Sequence, residues 1–449
     1  MDCRIKSGND DWWTGCCPTR SPLFADPCID RQMPSLAGTG LALPLRNTTY
    51  GIYAAGNAVS LVGTWMQRIS VSWLTWEMTH SGLWLGIVAF ADFFPGLIVG
   101  PLAGAIADRS DQLTVVRTSQ LVSLGQATVL FALAASDHLN IWGLVALTGF
   151  QGAVVAFNQP ARLALVPALV GEADLGSAVA INSVIFNLAR FIGPMLAGLV
   201  IVWSGVAAAF AVNAISYVAF LAALLWVKID VAAREPGKRR NFTADLKEGI
   251  RYTATHPAIA ALLILLIAIG IGGRPMNELL PGFAARIFHM GAGGFSILAS
   301  ATGAGAIVGG LWLGHRSQSL DLAIVAVMAS LGGAVAATCV AATSTLWIAV
   351  PCIAAFGFCF SSAGIAIQTI IQLSSDRAMR GRVMGLYGLI FRGAPSIGAL
   401  AAGIASVHFG LRWPVIVGAL IVIAAAGWTY SKHAQIVAAV PKNRDDKTD

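Results

Sequence analysis

A few ionisable side chains stand inside long apolar stretches of this sequence, and they are the first candidates for chemistry. Asp92 lies in Ala91-Asp-Phe-Phe-Pro95, and Glu278 follows Arg274 by four residues. A charged group inside a bilayer is costly, so each one needs a partner or a water-filled path. A carboxyl whose charge is disfavoured by burial and favoured by a nearby guanidinium can load and release a proton. We predict that Asp92 and Glu278 couple to protons, with static polar contacts as the alternative.

The stretch around Glu278 carries two further signals. Arg274 and Glu278 share a helical face at a spacing of four residues, so they can pair directly. Pro275 and Pro281 bracket Glu278 and predict a kink or an unwound turn that frees backbone carbonyls beside a cavity. Two interpretations stay open: the pair only stabilises its helix, or Glu278 binds a proton or a cationic group.

Arginine and amide side chains in the same stretches are candidates for holding a substrate. Arg68 or Arg190 can supply a partner for Asp92 in space. Arg190 and Arg392 stand on equivalent helices of the two halves of the chain and can recognise a carboxylate or a phenolate. The predicted substrate-binding residues are Gln67, Arg68, Asn187, Arg190, Arg274 and Arg392.

A short polar turn follows the second apolar stretch. Small residues before it, Gly104 among them, let a neighbouring helix come close. Asp108 comes where the helix leaves the bilayer, and a carboxylate there can pair with a cation or cap a helix. It can therefore hold two helices in one arrangement and release them in another. The predicted cytoplasmic gate consists of Gly104, Asp108, Arg109, Arg117 and, in the second half, Arg316, with a solvated surface turn as the alternative.

Membrane-spanning helices are the elements that must position these residues. The chain has 449 residues, of which 56% are hydrophobic and 11% are charged, whereas soluble domains carry about 25% charged residues. The formal net charge is +7, but the basic residues lie in particular loops and form no nucleic-acid-binding face. The sequence has no phosphate-binding loop, hydrolase nucleophile motif or His–Cys metal cluster. We therefore predict no enzyme, no cofactor and no nucleic-acid partner.

Twelve apolar runs reach the length of about 20 residues that crosses a bilayer. They are 50–75, 82–107, 113–135, 140–161, 176–203, 207–228, 258–286, 292–314, 321–343, 345–371, 383–408 and 411–432. We predict an all-α integral membrane protein whose twelve transmembrane helices form two six-helix pseudo-repeat bundles, 47–228 and 258–432. Residues 1–46 are polar and are expected to be a disordered extension, and 433–449 form a cytoplasmic tail. The stretch 229–257 is predicted to be a cytoplasmic linker, either with an amphipathic helix on the membrane surface or as plain solvated chain.

Basic residues set the predicted orientation. The loops after the even-numbered runs hold most of them, including Arg162, Arg240 and Arg380, whereas the opposite loops hold Arg286 and Arg412. Both termini are therefore predicted to be cytoplasmic.

The two halves of the chain repeat at an offset of 205 residues. Ile185-Phe186 matches Ile390-Phe391, and Gly205 matches Gly410. Two six-helix bundles related by a repeat, with a substrate path between them, are the architecture of a rocking transporter.

Several stretches also resemble one family. Gly104, Asp108 and Arg109 are similar to the loop between helices two and three of the major facilitator superfamily. A further set of segments resembles one branch of this superfamily, the enterobactin-exporter-like proteins or transmembrane secretion effectors. That set includes Gly63-Thr-Trp-Met-Gln67, Asn158-Gln-Pro-Ala-Arg162 and Arg380-Gly-Arg-Val-Met-Gly385.

This resemblance implies a secondary active transporter that exports a small amphipathic molecule, siderophore-like or drug-like, by proton antiport and alternating access. The expected partners are the small-molecule substrate, protons and membrane lipid. The resemblance also implies a multi-pass monomer in the inner membrane of a bacterium. An importer of a small polar metabolite with the same fold, or a non-transporting sensor or scaffold, is the alternative. The charges at Asp92 and Glu278 argue against a scaffold, which gains nothing obvious from intramembrane charge.

Overall fold

The computed structural model describes residues 48–107, 110–171, 174–227, 242–316 and 321–439, with the side chains at 101–102, 104–107 and 242–244 set aside. All regular secondary structure in these ranges is helical. The helices are α1 (Thr48–Thr79), α2 (Gly82–Ala107), α3 (Gln112–Ala135), α4 (Ile141–Leu169), α5 (Leu175–Trp226), α6 (Phe242–Thr255), α7 (Pro257–Ile287), α8 (Ala292–Arg316), α9 (Leu322–Ala342), α10 (Leu346–Ser374), α11 (Arg380–Phe409), α12 (Arg412–Ser431) and α13 (His433–Ala439). The predicted extension 1–46 lies outside the described residues.

The long helices follow from the apolar runs, because a helix satisfies its backbone groups internally and offers apolar side chains to lipid. Ten helical segments of the described chain are long and apolar enough to cross a membrane. One of them, α5, has 52 residues and is broken at Gly205; its parts before and after this residue are α5a and α5b. The 32-residue α1 adds a further helix of spanning length with a more polar composition. These elements agree with the twelve predicted runs.

Gly205 and Gly410 make the same turn in the two halves. Gly205 has φ 80° and ψ 172°, and Gly410, which ends α11, has φ 73° and ψ 175°. A residue with a Cβ atom is strained at such positive φ angles, whereas glycine is not. The offset found in the sequence therefore marks one structural feature that each half repeats.

Helices α1–α5 form the first bundle and α7–α12 the second. We call the side on which α2, α4, α8 and α10 end the linker side, and the opposite side the far side.

On the far side one apolar cluster contains side chains of both bundles, including Trp73, Ile201 and Phe283. The rings of Trp73 and Phe295 stack across this contact with centroids 6.2 Å apart. Towards the linker side each bundle has an apolar cluster of its own, so the cores are joined on the far side and separate on the linker side.

Close helix approaches reinforce the contact between the bundles. A Cβ atom added to Gly403 of α11 would lie 2.7 Å from the carbonyl oxygen of Gly82 of α2. A Cβ atom added to Gly303 of α8 would lie 2.9 Å from the carbonyl oxygen of Arg190 of α5a. Small residues are therefore needed where α2 meets α11 and where α5a meets α8.

Aspartates begin the equivalent helices α3 and α9. Asp111 accepts hydrogen bonds from the backbone N–H groups of Leu113 and Thr114, and Asp321 accepts them from Ala323 and Ile324. Such caps satisfy the free N–H groups of a first helical turn. The hydrogen bond from the Thr114 hydroxyl is the main cause that holds the pKa of Asp111 below its usual range.

Two short helices lie outside the spans. In α6, the carboxylate of Asp245 accepts a hydrogen bond from Nε of Arg382 at 2.8 Å, and Ile250 is exposed. The helix is therefore present within the predicted linker and is tied to the start of α11, while its predicted contact with lipid stays a prediction. In the predicted tail, α13 begins at His433, whose Nε2 lies 2.7 Å from Oδ2 of Asp321.

Candidate functional site

Helix α1 brings Arg68 to the contact between the bundles. Nη2 of Arg68 lies 3.4 Å from Oδ2 of Asp92 on α2 and 3.4 Å from Oε1 of Glu278 on α7. Its Cζ lies 4.6 Å from the ring centre of Phe93 and 5.6 Å from that of Trp65, so the cation also contacts aromatic faces. One guanidinium therefore bridges a carboxylate of its own bundle and a carboxylate of the other; we call this the Arg68 bridge.

The side chains of the Arg68 bridge are partly open to solvent. Their exposed fractions are 32% for Arg68, 27% for Asp92 and 19% for Glu278. Ionisable groups within membrane spans face the bundle interior or a water-filled cavity. Both carboxylates are thus partly accessible while they stay close to the cation.

The backbone of α7 is irregular on both sides of Glu278. Turns of π-helix occupy Ile269–Gly273 and Phe283–Ile287, and the regular segment Pro275–Gly282 lies between them. The N–H of Arg274 donates to the carbonyl of Ile269, five residues back, at 2.9 Å. Such wide turns are frequent at functional sites. The irregularity expected from the two prolines therefore takes the form of two wide turns that flank Glu278.

Arg274 has a different partner from the one that its spacing predicts. Among the described side chains, the ion pair of Glu278 is with Arg68 on α1 rather than with Arg274. Cζ of Arg274 lies 4.4 Å from the ring centre of Phe391 on α11. The direct ion pair between Arg274 and Glu278 that their spacing predicts is therefore wrong, because the neighbouring helices offer each of the two charges a partner. Arg274 still interacts electrostatically with Glu278.

Helix α5a adds another guanidinium to this region. Cζ of Arg190 lies 5.9 Å from the ring centre of Trp65, the indole that Arg68 also contacts. Arg190 is repelled by the like charges of Arg274 and Arg68. Within the described residues, no carboxylate lies at ion-pair distance from Arg190. The region therefore has more guanidinium groups than carboxylates.

Arg392 and Asn187 have other surroundings. Nη2 of Arg392 donates to Oε1 of Gln159 on α4 at 2.8 Å, which links the second bundle to the first. Nδ2 of Asn187 donates to the carbonyl of Ser183 in its own helix at 2.8 Å. Arg190 and Arg392 thus stand on equivalent helices of the two halves but contact different groups. Their roles in substrate binding stay predictions.

Gln67 lies in the interior of the first bundle. Its Nε2 donates to Oε1 of Gln126 at 3.1 Å, and its Oε1 accepts from Nδ2 of Asn213 at 2.7 Å. Gln126 in turn donates to the carbonyl of Leu147 at 3.2 Å. These bonds join α1, α3, α4 and α5b; we call them the amide network. They favour a structural role for Gln67, next to the predicted role in substrate binding.

The predicted gate is described only in part. Nη2 of Arg117 donates to the carbonyls of Leu224 and Val227 at 2.6 and 3.3 Å, so Arg117 caps the end of α5b. Arg316 is exposed in the last turn of α8. Asp108 and Arg109 lie outside the described residues, and Gly104 is described by its backbone alone. The gating role of these residues stays a prediction.

Sequence reasoning missed three side chains that contact these arginines. Phe93 and Phe391 present ring faces to Arg68 and Arg274, and Gln159 binds Arg392. Phe93 was detectable as the neighbour of Asp92, and Gln159 as a polar residue inside an apolar run. Phe391 gave no such signal, because a phenylalanine in a membrane helix is ordinary.

Comparison with known proteins decides the family. The family model described as transmembrane secretion effector matches residues 39–445. The chain belongs to this family. It is therefore a multi-pass membrane protein of a transporter family whose relatives are bacterial.

Individual relatives agree with this assignment. Macrolide efflux protein A of Streptococcus pyogenes is 24% identical over 376 residues, which cover 83% of this chain and 93% of the relative. The enterobactin exporter EntS of Citrobacter koseri is 26% identical over 385 residues, with 81% and 89% covered. The staphyloferrin A transporter of Staphylococcus aureus is 25% identical over 351 residues, with 78% and 87% covered.

Solved structures show the same fold. A bacterial homologue of the human lysosomal transporter Spinster, in an inward-facing and unoccupied conformation, superposes with a TM-score of 0.70 at 13% identity, covering 89% of this chain and 99% of that one. A bacterial homologue of the iron transporter ferroportin gives a TM-score of 0.64 at 12% identity, with 87% and 98% covered. The all-helical fold of two bundles is thus that of major facilitator transporters.

Proposed function

We propose that this protein is a secondary transporter, not an enzyme, that exports a small amphipathic molecule by alternating access with proton coupling. The observation that carries the proposal is the Arg68 bridge, because one cation at the contact between the bundles holds a titratable carboxylate from each of them. Relatives whose names describe efflux and export support the direction of transport.

Protonation of Glu278 removes one of the two attractions within the bridge. Two unit charges about 4 Å apart attract by about 4 kcal/mol at an effective dielectric constant of 20, before desolvation is counted. A bias of about 5.5 kcal/mol converts an equilibrium of 1:99 into 99:1. Gain or loss of a proton at Glu278 is therefore of the size that shifts the balance between two arrangements of the bundles.

The charge of the substrate decides how its binding and proton binding are linked. A basic group that reaches Asp92 or Glu278 competes with a proton for the same carboxylate, so its export accompanies proton entry. An acidic group at Arg190 or Arg274 instead favours protonation of the nearby carboxylates. Proton antiport therefore favours a substrate with a basic or neutral polar group at the carboxylates.

We assign the linker side, and with it both termini, to the cytoplasm of a bacterial inner membrane. Basic side chains on that side, such as Arg162, Arg316 and Arg377, support this orientation. The apolar cluster shared by the bundles on the far side supports a state in which the Arg68 bridge is reached from the cytoplasm. Import of a small polar metabolite by the same movement is the alternative function.

The test uses inside-out membrane vesicles that contain the full-length protein and an imposed proton gradient. Acidic, basic and neutral amphipathic compounds, with catecholates among them, are added singly, and collapse of the gradient is followed for the wild type, Asp92→Asn and Glu278→Gln. Asp137→Asn is the matched control, because it makes the same chemical change at an exposed loop residue. We expect collapse with at least one compound in the wild type and the control, and its loss in Glu278→Gln.

Three results would contradict the proposal. Collapse that is equal in all four proteins would remove the carboxylates from the coupling step. Compound uptake that does not depend on the proton gradient in any of them would remove proton coupling altogether. Transport of the added compound only from the far side to the linker side would favour the alternative function, import.

A further inference from the structure

A small cleft on the outer surface of the first bundle combines one cation with an apolar lining. It has a volume of about 250 Å³ and is lined by Arg117, Thr118 and Leu121 of α3 and by Leu221 and Leu225 of α5b. Leu121 is 60% exposed and Leu225 is 71% exposed. Large apolar side chains with such exposure on spanning helices face lipid. The cleft therefore opens towards the bilayer rather than towards the contact between the bundles.

The depth of the cleft matches the boundary between headgroups and acyl chains. Arg117 is the sixth residue of α3, which places it about 7.5 Å along the helix at 1.5 Å per residue. Leu121 lies one turn deeper on α3, and Leu225 lies in the last turn of α5b. Trp226, the last residue of α5b, is 76% exposed, and exposed tryptophan is typical of membrane interfaces.

One donor of Arg117 has no acceptor among the residues that the structure describes. Its Nη2 donates to the carbonyls of Leu224 and Val227, whereas its Nε is buried and has no hydrogen-bond partner among the described residues. A buried N–H group without an acceptor is unfavourable, because it has lost its hydrogen bonds to water. The helix cap therefore uses Nη2 of Arg117 and leaves Nε without an acceptor among the described residues.

The charge of Arg117 is also not paired directly within the described part of the chain. Asp111 interacts electrostatically with Arg117. Asp111 is engaged as the cap of α3 and forms no ion pair with Arg117 at 4.0 Å or less. An anionic group that approaches from the bilayer meets a cation that is available for it.

We propose that this cleft binds an anionic phospholipid, with its phosphate at Arg117 and one acyl chain along Leu121, Leu221 and Leu225. The phosphate pairs with the guanidinium of Arg117 where that side chain lines the cleft, and arginine binds phosphate with charge-assisted hydrogen bonds. Basic sites between spanning helices are suited to acidic lipid headgroups. The proposal does not depend on the transported substrate, because the cleft faces away from the Arg68 bridge.

The test measures lipid binding to the full-length protein in mild detergent. Delipidated wild type is titrated with dioleoyl phosphatidylglycerol, dioleoyl phosphatidylcholine or inorganic phosphate, and bound lipid is counted by native mass spectrometry beside the shift in Tm. We expect binding of phosphatidylglycerol at least tenfold tighter than that of phosphatidylcholine, and a loss of about tenfold in Arg117→Gln. Arg377→Gln is the matched control, because it removes the same charge from an exposed turn; it should bind phosphatidylglycerol as the wild type does.

A second variant separates lipid binding from helix capping. Leu225→Trp fills the cleft and leaves Arg117 and its two carbonyl partners in place, so it should also weaken phosphatidylglycerol binding, by about threefold or more. Equal binding of the two lipids by the wild type would overturn the proposal. So would unchanged binding in both Arg117→Gln and Leu225→Trp, or an equal rise in Tm with inorganic phosphate alone.

Discussion

The two bundles share a repeat, but among the described residues hydrogen bonds between side-chain amides of different helices occur in the first bundle alone. In the first bundle the amide network bonds Gln67, Gln126 and Asn213 across neighbouring helices. In the second bundle a buried hydroxyl such as that of Ser330 donates to the carbonyl four residues earlier in its own helix, at 2.6 Å. There the helices approach through small residues, and a Cβ atom at Gly272 of α7 would overlap the carbonyl of Gly418 of α12.

This difference bears directly on the Arg68 bridge. Gln67 precedes Arg68, so the amide network holds the turn of α1 that carries the cation. Glu278 instead stands between two π-helical turns of α7. The bridge therefore joins a cation on a cross-linked helix to a carboxylate on an irregular one, and we expect proton-dependent movement mainly on the side of α7.

The largest effect on stability is expected from Gln67→Leu. The change leaves Gln126 and Asn213 without their partner, at about 1–3 kcal/mol for each buried amide. A hydrogen bond between membrane helices contributes only about 0.6 kcal/mol on average. The expected loss of stability is therefore smaller than the sum of the costs for the two amides. We expect the free energy of unfolding in detergent to fall by about 2–4 kcal/mol, measured by denaturant titration. No loss would show that the amide network does not hold the first bundle.

Gly272→Ala tests the corresponding feature of the second bundle. The added methyl meets the backbone of Gly418, which cannot move cheaply, and overpacking costs about 1–3 kcal/mol. We expect a loss of about 2 kcal/mol in the same titration. Gly427→Ala on α12 is the matched control, because a Cβ atom there meets no described atom within 4 Å. Equal effects of the two changes would contradict the close-approach argument.

The caps of α3 and α9 compare the bundles at equivalent points. Asp111→Ala and Asp321→Ala should each cost about 1 kcal/mol, typical of a lost helix cap. The pKa of Asp111 is lowered in the folded protein, so its contribution is present above the unfolded value of about 3.9 and is lost as the pH falls through the folded value. The stability difference between wild type and Asp111→Ala should therefore shrink below about pH 4. A difference that grows on acidification would contradict the cap.

The smallest effect is expected from Ser330→Ala. Its hydroxyl donates to the carbonyl of Ala326 in the same helix, and such bonds within a helix add little to its stability. The free energy of unfolding should change by less than about 0.5 kcal/mol. A loss as large as that of Gln67→Leu would remove the contrast between the two interiors.

Much of the fold can be read from the chain itself. Apolar runs of spanning length become helices because lipid leaves the backbone no other partner. The offset of 205 residues appears in the structure as the two glycine turns at Gly205 and Gly410. The weakest predictions concern partners, because Arg117, predicted in the gate, caps α5b. The expected boundary between the runs 176–203 and 207–228 coincides with the break of α5 at Gly205.

The candidate site divides in the same way. The sequence by itself determined which residues to consider, because charges such as Arg68, Asp92 and Glu278 are rare inside apolar runs and stand out there. Only the tertiary structure decided that Arg68 bridges the two carboxylates. Glu278 is 210 residues from Arg68 in the chain, whereas Arg274 is on the same helical face and was the expected partner. Local spacing shows which groups can meet within one helix, but the packing of α1 against α2 and α7 settles which of them do.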